Sequence, residues 1–331
     1  MRRVAVIGGD GIGPEVIGSA LRALEAVGAP LELVPAEMGL RCHSLHGSYL
    51  PEDTIRTMEA TDCCLFGAIT SPATSIPGYR SPLLEVRKRF DLYANVRPSK
   101  RLHPRIGLVD LDLVIVRENT EGMYTGLESD IEGGVSLQRI VTERACRRLV
   151  RFSVDLCKKK GVGSITCVHK ANVLRRSDGM FRRIFYEEVD GKGLVANDIL
   201  VDAAAAALVS KPNELQCLVT LNLYGDILSD EAAALMGGMG FAPSGNIGEK
   251  YALFEPVHGS APDIAGQGIA NPSGAILSAA MMLDHLGIKR LGDELRGAVQ
   301  ATLAQGILTR DAGGDASTER FTETVLSNLE R

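Results

Sequence analysis

The sequence predicts an α/β protein of about two domains. Short apolar runs that suit buried strands alternate with stretches that suit helices, which is the pattern of parallel sheets covered by helices. The chain has 331 residues, of which 45% are hydrophobic, so it is long enough to bury a sizeable core. A glycine-rich turn follows the first apolar run and predicts either a ligand site or a tight strand–helix turn near the N-terminus.

Charge and cysteine usage exclude several classes of protein. The net charge is −5, and no basic stripe offers a nucleic-acid-binding surface. The seven cysteines contain no CxxC pair, which argues against a zinc site or a disulfide framework and fits a reducing cytosol. No run approaches the roughly 18 apolar residues of a membrane span, and the N-terminal apolar run is too short for a signal sequence. We therefore expect a cytoplasmic protein with no nucleic-acid partner and no membrane partner.

The first third of the chain is expected to hold three strands and three helices, the last of which carries Arg87, with Ser81 as a possible cap and Pro82 in its first turn. Apolar runs predict strands at 4–7, 31–34 and 63–66, with a helix at about 51–60. Pro14 and Glu15 open another helix, because proline suits the first helical turn. The preceding turn, Gly8–Gly13, does not match GxGxxG, since Pro14 stands at the third position. No acidic residue ends a second strand about 20 residues later, so a standard Rossmann fold is not indicated.

The rest of the chain continues the alternation. Strands are expected at 113–116, 164–168 and 218–221, and a helix begins near Asp202, which five alanines follow. Lys158 to Lys160 precede a glycine and indicate a helix C-terminus. The segment 241–258 is rich in glycine and proline and predicts a long functional loop. The strongly apolar stretch 269–286 predicts a helix that lies either in the core or at a subunit interface.

Two aspartates on one predicted helix give the clearest indication of chemistry. Asp226 and Asp230 are four residues apart, so they share a helix face with about 5–6 Å between their Cβ atoms. Such a pair repels itself unless something cationic lies between the carboxylates. Hard oxygen donors at this spacing suit Mg²⁺ or Mn²⁺. The alternative is a solvated helix N-terminus, where acids are favoured by the helix dipole.

Arginines, a tyrosine and a lysine are the other candidates for catalysis and binding. Arg87, Arg97 and Arg117 recur near the ends of predicted elements, and the arginine fork suits carboxylates, although lone arginines more often lie on the surface. Tyr124 follows a glycine in a polar loop, where it could serve as a general acid or only pack. Lys170 ends an apolar strand, where desolvation or a neighbouring cation would lower its pKa and make it usable as a base.

Six motifs in a fixed order extend this pattern over nearly the whole chain. They are GDGIGPE at 9–15, RENTEG at 117–122, HKAN at 169–172, GDILSD at 225–230, HGSAPDIAG at 258–266 and GGDAST at 313–318. On these motifs the sequence resembles the β-decarboxylating dehydrogenases, which include isocitrate, 3-isopropylmalate, homoisocitrate and tartrate dehydrogenases.

The resemblance implies a two-domain isopropylmalate dehydrogenase-like α/β fold. A large, discontinuous cofactor-binding domain would comprise residues 1–98 and 253–331. A small domain, residues 99–252, would carry the dimer contacts and the metal aspartates. The family forms homodimers with shared active sites, in which Lys170 and Asp202 reach the partner's site. Whether dimers pair into tetramers is left open.

The resemblance also implies a role for each motif residue. Tyr124 and Lys170 would be catalytic, and Asp202, Asp226 and Asp230 would bind Mg²⁺ or Mn²⁺. The other substrate-binding residues would be Ser71, Arg80, Arg87, Arg97, Arg117 and Asn172. NAD would be held by Ile12, Ile69, Thr70, Asn172, His258, Gly259, Ser260, Ala261, Pro262, Asp263, Ile264 and Asn271. NAD is favoured over NADP because Asp263 can accept a hydrogen bond from the ribose 2′-hydroxyl and would repel a 2′-phosphate.

The reaction implied is the NAD- and metal-dependent oxidative decarboxylation of a 3-substituted malate. Homoisocitrate is the favoured substrate, because Gly78–Leu84 resembles homoisocitrate dehydrogenases and Arg80 could meet a distal carboxylate. The apolar pair Leu83 and Leu84 would instead suit the isopropyl group of 3-isopropylmalate, which is the first alternative, followed by isocitrate. An inactive regulatory homologue and a non-redox lyase are the remaining alternatives.

Overall fold

A ten-stranded mixed sheet organises the structure, a computed structural model that describes residues 1–71, 79 and 81–329. The strand order is β2-β1-β3-β12-β11-β4-β5-β10-β8-β9, and β6 with β7 forms a separate hairpin. The strands are β1 (Arg2–Gly9), β2 (Leu31–Pro35), β3 (Cys63–Ala68), β4 (Ala94–Lys100), β5 (Asp112–Glu118), β6 (Glu128–Ile131), β7 (Gly134–Leu137), β8 (Ser164–His169), β9 (Val195–Leu200), β10 (Cys217–Thr220), β11 (Pro243–Ile247) and β12 (Ala252–Pro256).

Helices cover the sheet and fill most of the connections between strands. They are α1 (Gly13–Ala26), α2 (Leu40–His46), α3 (Glu52–Glu59), α4 (Pro82–Arg89), α5 (Glu143–Lys160), α6 (Ser177–Val189), α7 (Val201–Ser210), α8 (Asn222–Met236), α9 (Ser273–His285), α10 (Lys289–Ala304) and α11 (Thr318–Leu329). The α/β class predicted from the sequence is confirmed.

The sheet consists of two parallel wings joined by an antiparallel centre. β2, β1, β3 and β12 are parallel, and so are β5, β10, β8 and β9. Between the wings, β12 pairs with β11, β11 with β4 and β4 with β5, each in antiparallel register. Three reversals leave the two wings running in opposite directions. This arrangement differs from a standard Rossmann sheet, as the sequence predicts.

Each wing carries candidate residues where its strands end. In the first wing, the ends of β1, β3 and β12 lead into the glycine turn, Ile69 and Val257. In the second wing, the ends of β5, β10, β8 and β9 lead into Asn119, α8, Lys170 and α7. The carboxyl ends of parallel strands lie at one edge of a sheet, which is where ligands bind in open α/β folds. The sheet therefore gathers motif segments that are distant in sequence.

The segment 241–258 is the main error of the sequence-based prediction. Instead of a long loop it forms β11 and β12, whose register runs from Pro243 opposite Pro256 to Ile247 opposite Ala252. These strands are almost fully buried at the centre of the sheet. Glycine and proline are rare in strands, but Pro243 and Pro256 lie at strand ends, and Gly245 packs against the Phe254 ring.

The remaining predicted elements agree with the structure to within a few residues. The apolar stretch 269–286 forms α9, which is buried along nearly its whole length and packs on α1 and α10, so it is a core helix. The lysines 158–160 end α5, and Gly161 follows in the left-handed conformation. All seven cysteines are free and buried. No helix in the described part of the chain is long and apolar enough to cross a membrane.

The domain division at residues 98 and 252 stays a prediction. β4 crosses the first of these boundaries, and β11, which the prediction assigns to the small domain, lies between β12 and β4. Strands assigned to the two predicted domains therefore interleave at the centre of the sheet.

Candidate active site

Helix α8 presents the two aspartates to the arginines of the sheet. Arg97 lies in β4, and its guanidinium is 2.7 Å from Asp230 and 3.5 Å from Asp226. It also donates to Ser229 Oγ at 2.8 Å and to Asn95 Oδ1 at 2.9 Å. The expected cation between the two acids is thus supplied by the chain itself. Arg97 is only 8% exposed, which makes a surface role for this arginine untenable.

Arg117, near the end of β5, is the most deeply buried of the three candidate arginines, at 1% exposure. Its guanidinium pairs with Asp226, and its Nε donates to Asn222 Oδ1 at 2.9 Å. Burial lowers the pKa of Arg117 to about 10, although the Asp226 carboxylate opposes this shift. A Cβ at position 225 would lie 2.6 Å from the Arg117 side chain, so Gly225 is needed for this close packing. Gly225 of the GDILSD motif therefore leaves the space that the Arg117 side chain occupies.

Tyr124 completes the cluster around Asp226. Its hydroxyl donates to Asp226 Oδ2, and the Arg117 guanidinium lies 5.0 Å from the centre of its ring. Burial raises the pKa of Tyr124, and the hydrogen bond to Asp226 adds to the rise. Burial also tends to raise the pKa of Asp226, but the charges of Arg117 and Arg97 outweigh it and the net shift is downward. The tyrosine is therefore protonated and the aspartate ionised at neutral pH.

Arg87, on α4, joins the site through a different partner. It is 8% exposed, and its Nη2 donates to Glu255 Oε1 of β12 at 2.9 Å. Its Nε is buried and finds no hydrogen-bond partner among the described residues. A buried guanidinium with an unused donor suits an anion that enters from outside. Ser81 begins this helix as predicted, but its side chain makes no capping hydrogen bond.

Lys170 and Asp202 form a second group. Lys170 Nζ lies 2.6 Å from Asp202 Oδ1, and the bond to Lys170 lowers the pKa of Asp202. No hydrogen bond of the described chain joins this pair to the Tyr124–Asp226 cluster. Among the described residues, the one group of three or more acid, histidine or cysteine side chains with ligand atoms within 4.8 Å of one another is Glu37, Cys42 and His46, and it contains none of the three aspartates. Asp202 therefore does not complete a metal site within a single chain.

A buried acid and a partly buried acid hold the segment around Lys170 in place. Asp178, which is fully buried, accepts the backbone N–H of Lys170 at 2.7 Å and pairs with Arg139 at 2.6 Å. On the other side, His169 Nε2 lies 2.9 Å from Asp198 Oδ2. The lysine backbone is fixed, while its side chain extends to Asp202.

The glycine turn packs against two other predicted cofactor segments. The backbone N–H of Ile12 donates to Ser260 O at 2.8 Å, and the Thr70 hydroxyl donates to Ser260 Oγ at 2.9 Å. Gly11 has a φ of 56°, and a Cβ there would lie 1.9 Å from Ser260 O. Asp10 accepts the backbone N–H groups of Leu40, Arg41 and Thr70 at 2.8–2.9 Å. The three segments thus form one connected surface.

His258 and its neighbours provide the remaining polar groups of this surface. His258 Nδ1 lies 2.9 Å from the carbonyl oxygen of Gly259, which can only accept, so Nδ1 carries a proton. Burial lowers the pKa of His258, and its buried Nε2 has no hydrogen-bond partner among the described residues. The neutral ring therefore offers an unused acceptor. Asn271, in contrast, already bonds to Asp311 at 3.0 Å and to the backbone of Ser273.

The other predicted site residues differ in their exposure to solvent. Ser71, Asn172, Gly259, Pro262 and Asp263 are exposed, while Ile69, Ala261 and Ile264 are partly buried. Ala261 has a φ of 38°, which is unusual for a residue with a side chain. Arg80 lies outside the described residues. Leu84 is 38% exposed, whereas Leu83 packs against the core.

Five important residues escaped the sequence-based prediction. Asp10, Asn95, Asn222, Asn246 and Glu255 are all buried. The side chains of Asp10, Asn95, Asn222 and Glu255 bind the predicted site residues Thr70, Arg97, Arg117 and Arg87, respectively, and Asn246 binds Glu255. Asp10 alone carried a local signal, because it is an acid between glycines directly after a strand. The others stand at ordinary positions of strands or helices, where nothing distinguishes a site residue from a core residue.

Known proteins match this chain along its whole length. The model of the family described as isocitrate/isopropylmalate dehydrogenase matches residues 3–325. Homoisocitrate dehydrogenase of Methanocaldococcus jannaschii is 44% identical, over 100% of this chain and 99% of its own. The 3-isopropylmalate/3-methylmalate dehydrogenase of the same organism is 45% identical, over 99% of both chains.

Structural similarity leads to the same family. The crystal structure of isocitrate dehydrogenase from Methylococcus capsulatus superposes with a TM-score of 0.96 at 36% identity, covering 100% of both chains. The chain therefore belongs to the isocitrate/isopropylmalate dehydrogenase family and is an enzyme of the dehydrogenase class.

Proposed function

We propose that the protein oxidatively decarboxylates a (2R,3S)-type 3-substituted malate with NAD and Mg²⁺ or Mn²⁺, and that homoisocitrate, converted to 2-oxoadipate, is its substrate. The observation that carries the reaction class is the convergence of buried arginines on one acid–tyrosine pair. Arg97 and Arg117 both contact Asp226, whose second oxygen accepts the Tyr124 hydroxyl. This cluster joins carboxylate binding, metal-type ligands and a proton donor in one place.

Substrate binding would fall to the arginines. Each guanidinium is fixed on one side by an acceptor of the protein: Arg87 by Glu255, Arg97 by Asn95 and Arg117 by Asn222. A fixed fork loses little freedom when it binds a carboxylate, so more of its interaction energy appears as affinity for the substrate.

The residues present fit a hard divalent cation. Asp226 and Asp230 offer oxygen donors from one helix face, and Asp202 of the partner subunit would supply the third carboxylate. When bound, NAD would supply the hydride acceptor, and the metal would supply positive charge that stabilises the negative charge developing on the substrate. Arg97, which now neutralises both aspartates, would be free for the substrate once a cation takes that role.

Protons would be moved by Lys170 and Tyr124. Lys170 would accept the proton of the C2 hydroxyl, directly or through a relay, with its backbone held by Asp178. Tyr124 would protonate the carbon that loses carbon dioxide. The raised pKa of Tyr124 suits this role, because the phenol stays protonated until the step that needs it. Lys170 and Asp202 would act in the partner's site, which makes the enzyme a homodimer.

The surface formed by Ile12, Thr70 and Ser260 fits a dinucleotide. His258 offers an acceptor on Nε2 that suits the amino group of adenine, while the exposed Asp263 carboxylate suits a ribose hydroxyl. Ile69, Gly259, Ala261, Pro262 and Ile264 would line the same surface. Asn271 would contribute by holding Asp311 and the start of α9 rather than by free hydrogen bonds.

The substrate assignment rests on fewer observations than the reaction class does. Identities of 44% and 45% to two enzymes with different named substrates do not separate homoisocitrate from 3-isopropylmalate. Arg80 favours homoisocitrate, because its guanidinium could bind the distal carboxylate that 3-isopropylmalate lacks. Leu83 packs against the core and Leu84 is exposed, so only Leu84 of this pair is available to line an apolar pocket for an isopropyl group.

A substrate panel tests the proposal. The protein is incubated with NAD, Mg²⁺ and homoisocitrate, 3-isopropylmalate or isocitrate, and both the reduced nicotinamide and the released carbon dioxide are measured. We expect both products in equal amounts, with the highest kcat/KM for homoisocitrate. Carbon dioxide without reduced cofactor would establish a lyase, and no product with any acid would indicate an inactive homologue.

Arg80→Ala tests the substrate assignment within the same panel. We expect it to lower kcat/KM for homoisocitrate and to leave 3-isopropylmalate nearly unchanged. Arg89→Ala is the matched control, since Arg89 lies on α4 and pairs with Glu52 and Glu59 on the surface. A wild-type preference for 3-isopropylmalate with no effect of Arg80→Ala would overturn the assignment to homoisocitrate.

A further inference from the structure

A continuous chain of buried hydrogen bonds links Arg87 to Arg97 across the centre of the sheet. Glu255 Oε1 accepts from Arg87 Nη2 at 2.9 Å and from Asn246 Nδ2 at 2.7 Å. Asn246 Oδ1 accepts from Asn95 Nδ2 at 3.0 Å, and Asn95 Oδ1 accepts from Arg97 Nε at 2.9 Å. Three side chains, one each from β12, β11 and β4, thus connect the two arginines through four hydrogen bonds.

These hydrogen-bonded side chains are buried, which indicates that they have a specific role. Asn95 and Asn246 are 0% exposed and Glu255 is 6% exposed. Burying polar and charged groups is costly, and well-packed apolar residues often stabilise a core as well or better. The antiparallel register sets Asn246 directly opposite Asn95, so the link is built into the sheet itself.

We propose that Glu255 is a positioning residue that fixes the guanidinium of Arg87 relative to Arg97 and so sets the spacing of the two arginines that grip the substrate. This inference rests on the proposed function, in which both arginines bind substrate carboxylates. Glu255 uses Oε1 for both Arg87 and Asn246, so the orientation of the first is tied to a side chain fixed within the sheet.

An alternative role for Glu255 makes the opposite prediction. If the carboxylate only balanced the charge of Arg87, its removal would leave the cleft more positive, and an anionic substrate would bind more tightly. If Glu255 orients Arg87, its removal weakens binding even though the cleft gains positive charge. The sign of the change in affinity therefore separates the two roles.

Two substitutions at this position provide the test. Glu255→Gln removes the charge and keeps the length, whereas Glu255→Asp keeps the charge and withdraws the oxygen atoms by one methylene group. Affinity for homoisocitrate and for 3-isopropylmalate is measured by calorimetric titration, and kcat and KM are measured in parallel. Glu188→Gln is the control, because Glu188 also pairs with arginines, Arg147 and Arg151, on the outer helices.

Both Glu255 variants are expected to raise Kd and KM roughly tenfold or more, as for the loss of one well-oriented charge-assisted hydrogen bond. The value of kcat is expected to change much less, because the arginines bind the ground state and the transition state alike. The control should match the wild type. Tighter binding by Glu255→Gln, or unchanged binding by Glu255→Asp, would overturn the inference.

Removing one partner of a buried ion pair can unfold a protein. Thermal unfolding of each variant is therefore recorded. If Glu255→Gln does not fold, the test rests on Glu255→Asp, which keeps both charges of the pair. Turnover and binding also separate this inference from the proposed function. A wild type that binds either acid but reduces no NAD would refute the proposed function. The ratio of each variant's Kd to that of the wild type would still test the role of Glu255. A wild type that binds neither acid would refute both.

Discussion

The ammonium group of Lys170 lies 2.6 Å from the carboxylate of Asp202, and no described hydrogen bond connects this pair to Tyr124 and Asp226. One chain therefore presents the two proposed proton-transfer residues in separate groups. This separation is what a shared active site requires, because the lysine of one subunit would serve the tyrosine of the other.

Subunit mixing tests that arrangement. Tyr124→Phe and Lys170→Met are each expected to be inactive as pure proteins. In a hybrid dimer one site would be wild-type at both positions, so equal mixing should restore about one quarter of the wild-type rate in a two-fold symmetric dimer. Subunit exchange is verified with differently tagged chains. If exchange is complete and activity stays absent, each site is built within a single chain.

Metal binding is expected to depend on Asp226 and Asp230. Asp230→Asn should weaken Mg²⁺ binding at least about tenfold, because a neutral amide oxygen is a poorer ligand for a hard cation than a carboxylate. Asp226→Asn should weaken it further, and should also destabilise the fold by leaving Arg117 without its anion. The shift of the thermal unfolding midpoint with added Mg²⁺ reports binding, and the metal dependence of the rate reports function.

Asp293→Asn is the matched control for the metal experiment. Asp293 lies on α10, is exposed and pairs with Arg296, so its substitution should leave the Mg²⁺ response unchanged. Wild-type Mg²⁺ affinity in Asp230→Asn and in Asp226→Asn would exclude these residues as ligands.

Cofactor choice is expected to depend on Asp263. The wild type should prefer NAD to NADP in kcat/KM, since the carboxylate repels a 2′-phosphate. Asp263→Asn removes that repulsion but keeps an acceptor oxygen, so the preference should fall about tenfold or more. Asp315→Asn, at a highly exposed carboxylate, is the control. A wild type that prefers NADP, or a ratio that Asp263→Asn leaves untouched, would contradict the assignment.

Stability in acid is expected to depend on Asp198. Burial tends to raise the pKa of Asp198, but hydrogen bonds from Arg182, Tyr186 and His169 outweigh it, and the pKa falls well below its usual range. A depressed carboxyl pKa contributes stability above the unfolded pKa, near 4, and that contribution is lost as the pH falls through the folded pKa. Asp198→Asn should therefore lower the free energy of unfolding by about 2 kcal/mol at neutral pH.

The same variant should lose its disadvantage in acid. Below about pH 4 the carboxyl of the unfolded wild type becomes protonated, while that of the folded protein stays ionised to a much lower pH, so the difference in stability between the two proteins should begin to shrink there. Urea unfolding at neutral pH and at about pH 3 measures the difference. A gap of equal size at both pH values would show that the lost interaction is not that of the ionised carboxylate.

The sequence by itself determined the family, the α/β class and the residues of the motifs. Each of these depends on local information: apolar runs mark strands such as β3 and β5, and helical spacing sets Asp226 and Asp230 on one face. Proline at the start of α1 and glycine after α5 likewise act within a few residues of their own positions. Short-range patterns of this kind are visible in one sequence.

Only the tertiary structure decided how the motif residues are supported. Arg87 and Glu255 are 168 positions apart, and their contact depends on the order and register of β3, β12 and β11. The segment 241–258 looked like a loop because its glycines and prolines disfavour strands locally, yet the antiparallel centre supplies its backbone with partners. Strand register and the packing of helices on the sheet are sums over many weak contacts between distant residues, and no local pattern contains them.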